Sequence, residues 1–242
     1  MGSQTDNKEE FTILVTGFGP FREQYPVNPS WEIAKGLPEY LPTVSAKVPK
    51  SRFAVDLPPV RILVHPEAIH VGYDNVRSLT PKFWDGNEYM GHKIDAAIHI
   101  GMAGPELQYK IERRAHRTGY DKKDVDGLLL KDETEGKLDE NWIWHGLPDE
   151  LLSELDIEDI HMRWQGNSPM DFDLRISEDA GHYLCDFIYY SSQALLLKQN
   201  RPRKVVFLHV PADASETSVE RGREVARNLI RAIAESEISK RQ

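Results

Sequence analysis

The sequence predicts an α/β sandwich built on a largely parallel β-sheet. Three observations point there. Continuous apolar, β-branched runs of strand length recur along the chain, each run ends on glycine or proline, and segments with helical spacing of apolar residues separate them. At 242 residues, with 40% hydrophobic and 29% charged side chains, the chain is ordinary for a single globular α/β domain. One domain over residues 1–242 is therefore expected, with a polar, disordered N-terminus over 1–10.

The elements follow in order. Residues 11–16 form an apolar run that breaks into Gly17-Phe18-Gly19-Pro20-Phe21, the pattern of a buried strand entering a loop. Asn28 then offers a helix N-cap with Pro29 at the first helical position, and Gly36 closes the short segment that holds Trp31, Ile33 and Ala34. A second strand is read over 60–65, and a helix over 73–85 with Val76, Leu79 and Phe83 at helical spacing. Residues 95–103 and 204–210 repeat the buried-strand pattern, ending at Gly104-Pro105 and at Pro211. Over 216–237, Val219, Ala226, Leu229, Ile230 and Ile233 fall on one stripe, which predicts a helix covering the sheet. Residues 121–165 depart from this rhythm. They are acidic around 132–140, carry Trp142, Trp144 and Trp164 without sustained periodicity, and read as a long insertion that docks partly on the body.

Composition excludes several classes. Thirty-nine acidic against thirty basic side chains give a formal charge of -9, which repels polyphosphate backbones, and no Lys/Arg stripe interrupts it; nucleic acid is not an expected partner. No apolar run reaches spanning length, and Asp6 stands where a myristoylation signal after Gly2 needs Ser or Thr, so no membrane association is expected. One cysteine cannot form an intrachain disulfide, which with the polar start points to the cytoplasm. Oligomeric state is left open.

That cysteine, Cys185, is the candidate nucleophile. A helix is expected to start near 177–181, placing Cys185 in its early turns, where the positive helix end favours thiolate over thiol. The plainer alternative is a small apolar filler. His209 ends the last strand, at the rim where open α/β sheets gather their sites, and is the candidate base; His182 competes for that role. Glu112, in Ile111-Glu112-Arg113-Arg114, is the candidate for orienting the histidine, against the alternative of a solvated ion pair. The Gly17 loop lacks the third glycine of a dinucleotide fingerprint and the lysine of a phosphate loop. Phe18 and Phe21 could instead wall an apolar pocket. Neither Gly-x-Ser-x-Gly nor His-Glu-x-x-His occurs, and Cys185 with His182 is too small a set for a metal, so no cofactor or metal is expected.

Four ordered blocks now coincide. Val15-Thr16-Gly17-Phe18-Gly19-Pro20-Phe21 with Asn28-Pro29-Ser30-Trp31-Glu32, Ile98-His99-Ile100-Gly101-Met102-Ala103 with Ile111-Glu112-Arg113-Arg114-Ala115-His116, residues 177–187 around Cys185, and Phe207-Leu208-His209-Val210-Pro211 together resemble the pyroglutamyl-peptidase I family. The resemblance implies a three-layer α/β/α sandwich of the phosphorylase/hydrolase kind with a mostly parallel mixed sheet. It also implies a cysteine exopeptidase that removes N-terminal pyroglutamate (5-oxoproline) from peptides by a Cys185, His209 and Glu112 triad. The implied substrate pocket is walled by Phe18 and Phe21, with Asn28 and Met102 as further binding positions in the matched blocks. The chain departs from the family in its longer insertion, in the Phe21-Arg22-Glu23 turn, and in Lys122 and Lys123, which lie where bacterial members carry an arginine given an oxyanion role. Backbone amides near Cys185 are the expected oxyanion donors. Two other readings stay open: a hydrolase of the same fold acting on another N-acyl or lactam substrate, and a catalytically silent partner-binding member.

Overall fold

The computed structural model describes residues 10–43, 55–86, 88–104, 106–134 and 140–241. Strands β1 (Phe11–Gly17), β2 (Val60–Val64), β5 (Ala96–Met102), β6 (Tyr109–Glu112), β9 (Leu174–Ser177) and β10 (Val205–Val210) form the main sheet. Two short ribbons lie outside it, β3 (Glu88–Tyr89) with β4 (His92–Lys93) and β7 (Arg114–His116) with β8 (Glu150–Leu152). The helices are α1 (Pro29–Lys35), α2 (Tyr73–Trp84), α3 (Lys131–Thr134), α4 (Ile157–Gly166), α5 (Leu184–Lys198) and α6 (Glu216–Ser239).

The main sheet runs in the order β2-β1-β5-β10-β6-β9. β2, β1, β5 and β10 are mutually parallel, β6 is antiparallel to β10, and β9 is parallel to β6. The sheet is therefore mixed and mostly parallel, as expected. Its central strands are apolar on both faces because both faces are covered. On β10, Val206, Leu208 and Val210 pack with α1, α4 and α6, whereas Val205 and Phe207 pack with α2 and α5. Three layers result, α/β/α.

Local chemistry fixes the ends of these elements. Asn28 caps α1 by accepting the amide of Ser30 at 3.1 Å, with Pro29 at the first helical position. Gly17 lets α1 approach β1, since a Cβ there would lie 2.6 Å from the Ser30 carbonyl oxygen.

One expectation needs correction. The segment 177–181 is not helical: β9 runs to Ser177, Gly181 sits at φ +79°, and α5 begins at Leu184. A left-handed glycine cannot continue a right-handed helix, so the start moves downstream and brings Cys185 into the first turn. The region 121–165, read as an insertion docking partly on the body, contributes α3, β8 and most of α4 among its described residues. Trp164 is fully buried in the core beneath α6, its indole donating to the Val225 carbonyl at 3.0 Å. Trp144 is buried against Tyr120, Phe187 and Tyr190. These anchors hold the segment against the body. The expected disorder at the N-terminus falls, apart from Glu10, outside the described residues. Glu10 accepts a hydrogen bond from Arg61 at 2.7 Å.

Candidate active site

Cys185 is the second residue of α5 and is partly exposed. By helix geometry the first amides of α5 have no intrahelical acceptor, and the N-cap residue, Tyr183, makes no side-chain cap hydrogen bond. The thiol thus sits beside N–H donors that neither the helix nor its N-cap side chain engages, at the positive end of a four-turn helix. Beneath it β5 carries Gly101, paired in register with His209. A Cβ at Gly101 would lie 2.9 Å from Cys185 Sγ and 2.5 Å from Phe207 Cζ, so only glycine leaves the thiol its place.

His209 and Phe207 lie two residues apart on β10, hence on one face, and Phe207 pairs in register with Glu112 on the antiparallel β6. Glu112 therefore reaches His209 diagonally. His209 Nδ1 lies 2.7 Å from Glu112 Oε1, with both side chains buried. The second carboxylate oxygen has no hydrogen-bond partner among the described residues. Burial alone would push the imidazole down, but contacts with Cys185 and Glu112 outweigh it and raise the His209 pKa to about 9. The imidazolium is therefore the favoured state at neutral pH. Because Glu112 holds Nδ1, the other ring nitrogen, Nε2, is left for the thiol.

A cavity of about 180 Å³ opens onto these groups. Its lining includes Cys185 and His209 and all four expected pocket residues, Phe18, Phe21, Asn28 and Met102, together with Val71, Ala180, Tyr183 and Leu184. Asn28 has its polar atoms engaged already, since it donates to the Gly19 carbonyl at 2.8 Å and accepts from Ser30. Its part in the wall is mainly shape. A hollow of about 490 Å³ at the amino ends of β5 and β10 is lined by no cysteine or histidine.

His182, the competing base, points elsewhere. Its Nδ1 lies 3.1 Å from the Thr118 carbonyl, and its ring packs on His116 at 4.9 Å. His116, His182 and Asp186 bring ligand-capable atoms within 4.8 Å of one another. Asp186 is already engaged, accepting the His116 amide at 3.1 Å and the Tyr120 hydroxyl at 3.1 Å.

Sequence reading missed three parts of the site. Asp186, fully buried beside Cys185, ties the first turn of α5 to the chain that continues from Glu112. Its adjacency to the cysteine was the available sign. Tyr183 gives the cavity an aromatic wall, 5.4 Å from the Phe21 ring. Val71 arrives from the loop before α2 and carries no sequence sign.

A partly exposed thiol at a helix terminus, a buried histidine held by a carboxylate and an adjoining apolar cavity meet on an α/β/α scaffold, an arrangement suited to nucleophilic chemistry at the thiol. Residues 87–228 match the sequence profile of the pyroglutamyl peptidase family, peptidase C15. The chain is 31% identical over 199 residues to pyroglutamyl-peptidase 1 of Mus musculus, covering 82% of this chain and 78% of the mouse protein. It is 28% identical over 204 residues to the pyrrolidone-carboxylate peptidase of Bacillus cereus strain Q1, covering 83% and 78%. The structure of pyrrolidone carboxyl peptidase from Thermococcus litoralis superposes with a TM-score of 0.69 at 18% identity, covering 96% of each chain, which establishes the common fold. The chain belongs to the pyroglutamyl peptidase family.

Proposed function

We propose that the chain is a cysteine exopeptidase that hydrolyses the bond after an N-terminal pyroglutamyl residue, with Cys185, His209 and Glu112 as its triad. The observation that carries this reading is the thiol at the amino end of α5 beside His209, whose Nδ1 meets Glu112 at 2.7 Å. His209 takes the thiol proton, and the Cys185 thiolate attacks the pyroglutamyl carbonyl carbon. The oxyanion is met by backbone amides of the first turn of α5. His209 then protonates the departing amine and later activates the water that releases pyroglutamate from the acyl-enzyme. Glu112 fixes the tautomer and stabilises the imidazolium.

Phe18, Phe21, Asn28 and Met102 serve as the substrate-binding wall. A lactam carries no charge and suits apolar, aromatic walls with backbone polar groups nearby. An ordinary N-terminal residue would bring an ammonium that such a wall leaves unpaired at a cost of several kcal/mol. Residues 1–242 act as one such domain in the cytoplasm, on peptide substrates, and the segment 121–165 belongs to the body rather than to a lid. Among the described residues no helix is long and apolar enough to cross a membrane.

The test compares hydrolysis of a pyroglutamyl arylamide with the prolyl and glutaminyl arylamides, for the native protein and for Cys185→Ser. Release from the pyroglutamyl substrate alone, abolished by the substitution, is expected. Equal rates on the three substrates, or an active Cys185→Ser, would overturn the reading.

A further inference from the structure

We infer that a second cavity, next to the acyl pocket, binds a carboxylate on the leaving side of the scissile bond, so that pyroglutamyl peptides with an acidic second residue are the preferred substrates. This rests on the pyroglutamyl-peptidase reading above. The cavity has a volume of about 310 Å³ and shares Phe21 and Tyr183 with the acyl pocket. On that reading, with the pyroglutamyl ring held beside Cys185, a following residue that leaves past the aromatic pair meets this space.

The charge there runs against the rest of the molecule. The chain carries -9 overall, yet the cavity is lined by Arg22, Lys122 and Lys123 against one carboxylate, Asp124. Asp124 is buried and turned to the backbone, accepting the amides of Tyr73 at 3.1 Å, Asp126 at 3.0 Å and Leu128 at 2.9 Å. Nearby Asp126 faces His70 at 2.7 Å, while Glu23 and Asp121 do not line the cavity. Among the described residues no carboxylate pairs with Arg22, Lys122 or Lys123. The three cations thus outnumber the one carboxylate lining the cavity, and that carboxylate is committed to backbone amides.

Their placement is built. The Tyr73 hydroxyl donates to the Lys122 carbonyl at 3.0 Å and the Tyr183 hydroxyl to the Lys123 carbonyl at 3.1 Å, which fixes the lysine backbone to the aromatic wall of the acyl pocket. The Arg22 guanidinium lies 4.5 Å from the centre of the Phe21 ring. The lysines that depart from the bacterial pattern therefore line a cavity that adjoins the acyl pocket through Phe21 and Tyr183 rather than the acyl pocket itself.

The test measures kcat/KM for release of pyroglutamate from pyroglutamyl-Glu-amide, pyroglutamyl-Ala-amide and pyroglutamyl-Lys-amide, with pyroglutamyl-Ala bearing a free carboxylate as a fourth substrate. At low ionic strength the Glu amide should exceed the Ala amide by about twofold to tenfold, the range two or three exposed charge pairs give, and the Lys amide should fall below it. The preference should shrink at high salt. Lys122→Gln with Lys123→Gln, and separately Arg22→Gln, should bring the Glu-to-Ala ratio toward one. Equal rates on the Glu and Ala amides would overturn the inference while leaving the pyroglutamyl reading intact; no release from any of the four would instead overturn that reading. A gain confined to the free carboxylate of pyroglutamyl-Ala would also overturn the preference for an acidic residue, by assigning the cations to a chain terminus.

Discussion

Gly101 presents only a hydrogen toward α5, at the register position that pairs β5 with His209. An alanine Cβ there would stand 2.5 Å from Phe207 Cζ and 2.9 Å from Cys185 Sγ, against ordinary carbon contacts of about 3.5–4.0 Å. One neighbour must retreat by about 1 Å to restore such contacts. Phe207 is fully buried and packs on His209 at 4.7 Å and on Tyr189 at 6.3 Å, so moving its ring moves the base. The partly exposed thiol is freer to yield, which carries it away from the imidazole. Either response separates nucleophile from base. A displacement of this size in a reacting group costs on the order of 10²-fold in rate, whereas overpacking costs about 1–3 kcal/mol of stability. Gly101→Ala should therefore lose about 10²-fold in kcat/KM on a pyroglutamyl arylamide while still unfolding cooperatively in urea, and alkylation of Cys185 by iodoacetamide at pH 7 should slow with it. Native kcat/KM in a folded Gly101→Ala protein would refute the claim that this missing side chain sets the thiol.

Two further outcomes follow from the buried histidines. In Glu112→Gln the imidazolium loses its anionic partner, so kcat/KM should fall by on the order of 10²-fold or more, and its alkaline limb, set by a His209 pKa raised to about 9, should move to lower pH. A pH–rate profile identical to that of the native protein would contradict the assignment of Glu112. The same raised pKa means that the pairing of His209 stabilises the fold fully below its unfolded value of about 6.5 and is lost as pH rises through about 9. His99 has the opposite sign. Fully buried between Thr16 Oγ1 at 2.8 Å and Ser192 Oγ at 2.9 Å, it has its pKa pushed down by burial to about 3. The unfolded chain takes up that proton near pH 6.5 and the folded one near pH 3, so stability should drop with acidification across this window by about 1.4 kcal/mol per pH unit. Urea unfolding at pH 7, 5 and 4 should show a shallower acid dependence in His99→Gln than in the native protein; parallel dependences would be the contrary result.

The sequence was most legible where one force acts alone. Apolar runs such as 11–16 and 204–210 became β1 and β10 because a strand covered on both faces needs no alternation, and Asn28-Pro29 became a cap because only local chemistry was involved. Cys185, His209 and Glu112 were readable as residue types with outline positions, and Phe18, Phe21, Asn28 and Met102 as neighbours only through the family's ordered blocks. Distance was not readable. Glu112 meets His209 because β6 turns antiparallel to β10, and nothing within residues 109–112 announces that pairing. The helix start was misplaced for a related reason: Ser177, Asp179 and Gly181 resemble capping residues, yet Ser177 closes a strand whose partner, β6, lies 65 residues earlier in register with it. Trp144 and Trp164 show the same limit from the other side. Trp144 is a single large anchor with no repeating face around it, whereas Trp164 closes a short stripe with Ile157 and Ile160 on α4 that the sequence reading passed over.

The placement of charge ties these points together. Cys185 stands where the sheet's carboxyl rim meets the amino end of α5. On the proposed mechanism the imidazolium would have Glu112, delivered by strand register, and the oxyanion would have first-turn amides of a helix that Tyr183 does not cap with its side chain. A capping side chain introduced at position 183 would compete for those same amides, adding helix stability while it removes oxyanion donors. Asn28, Asp156 and Ser215 accept first-turn amides of α1, α4 and α6, whereas the N-cap residues of α2 and α5, Gly72 and Tyr183, make no side-chain cap bond.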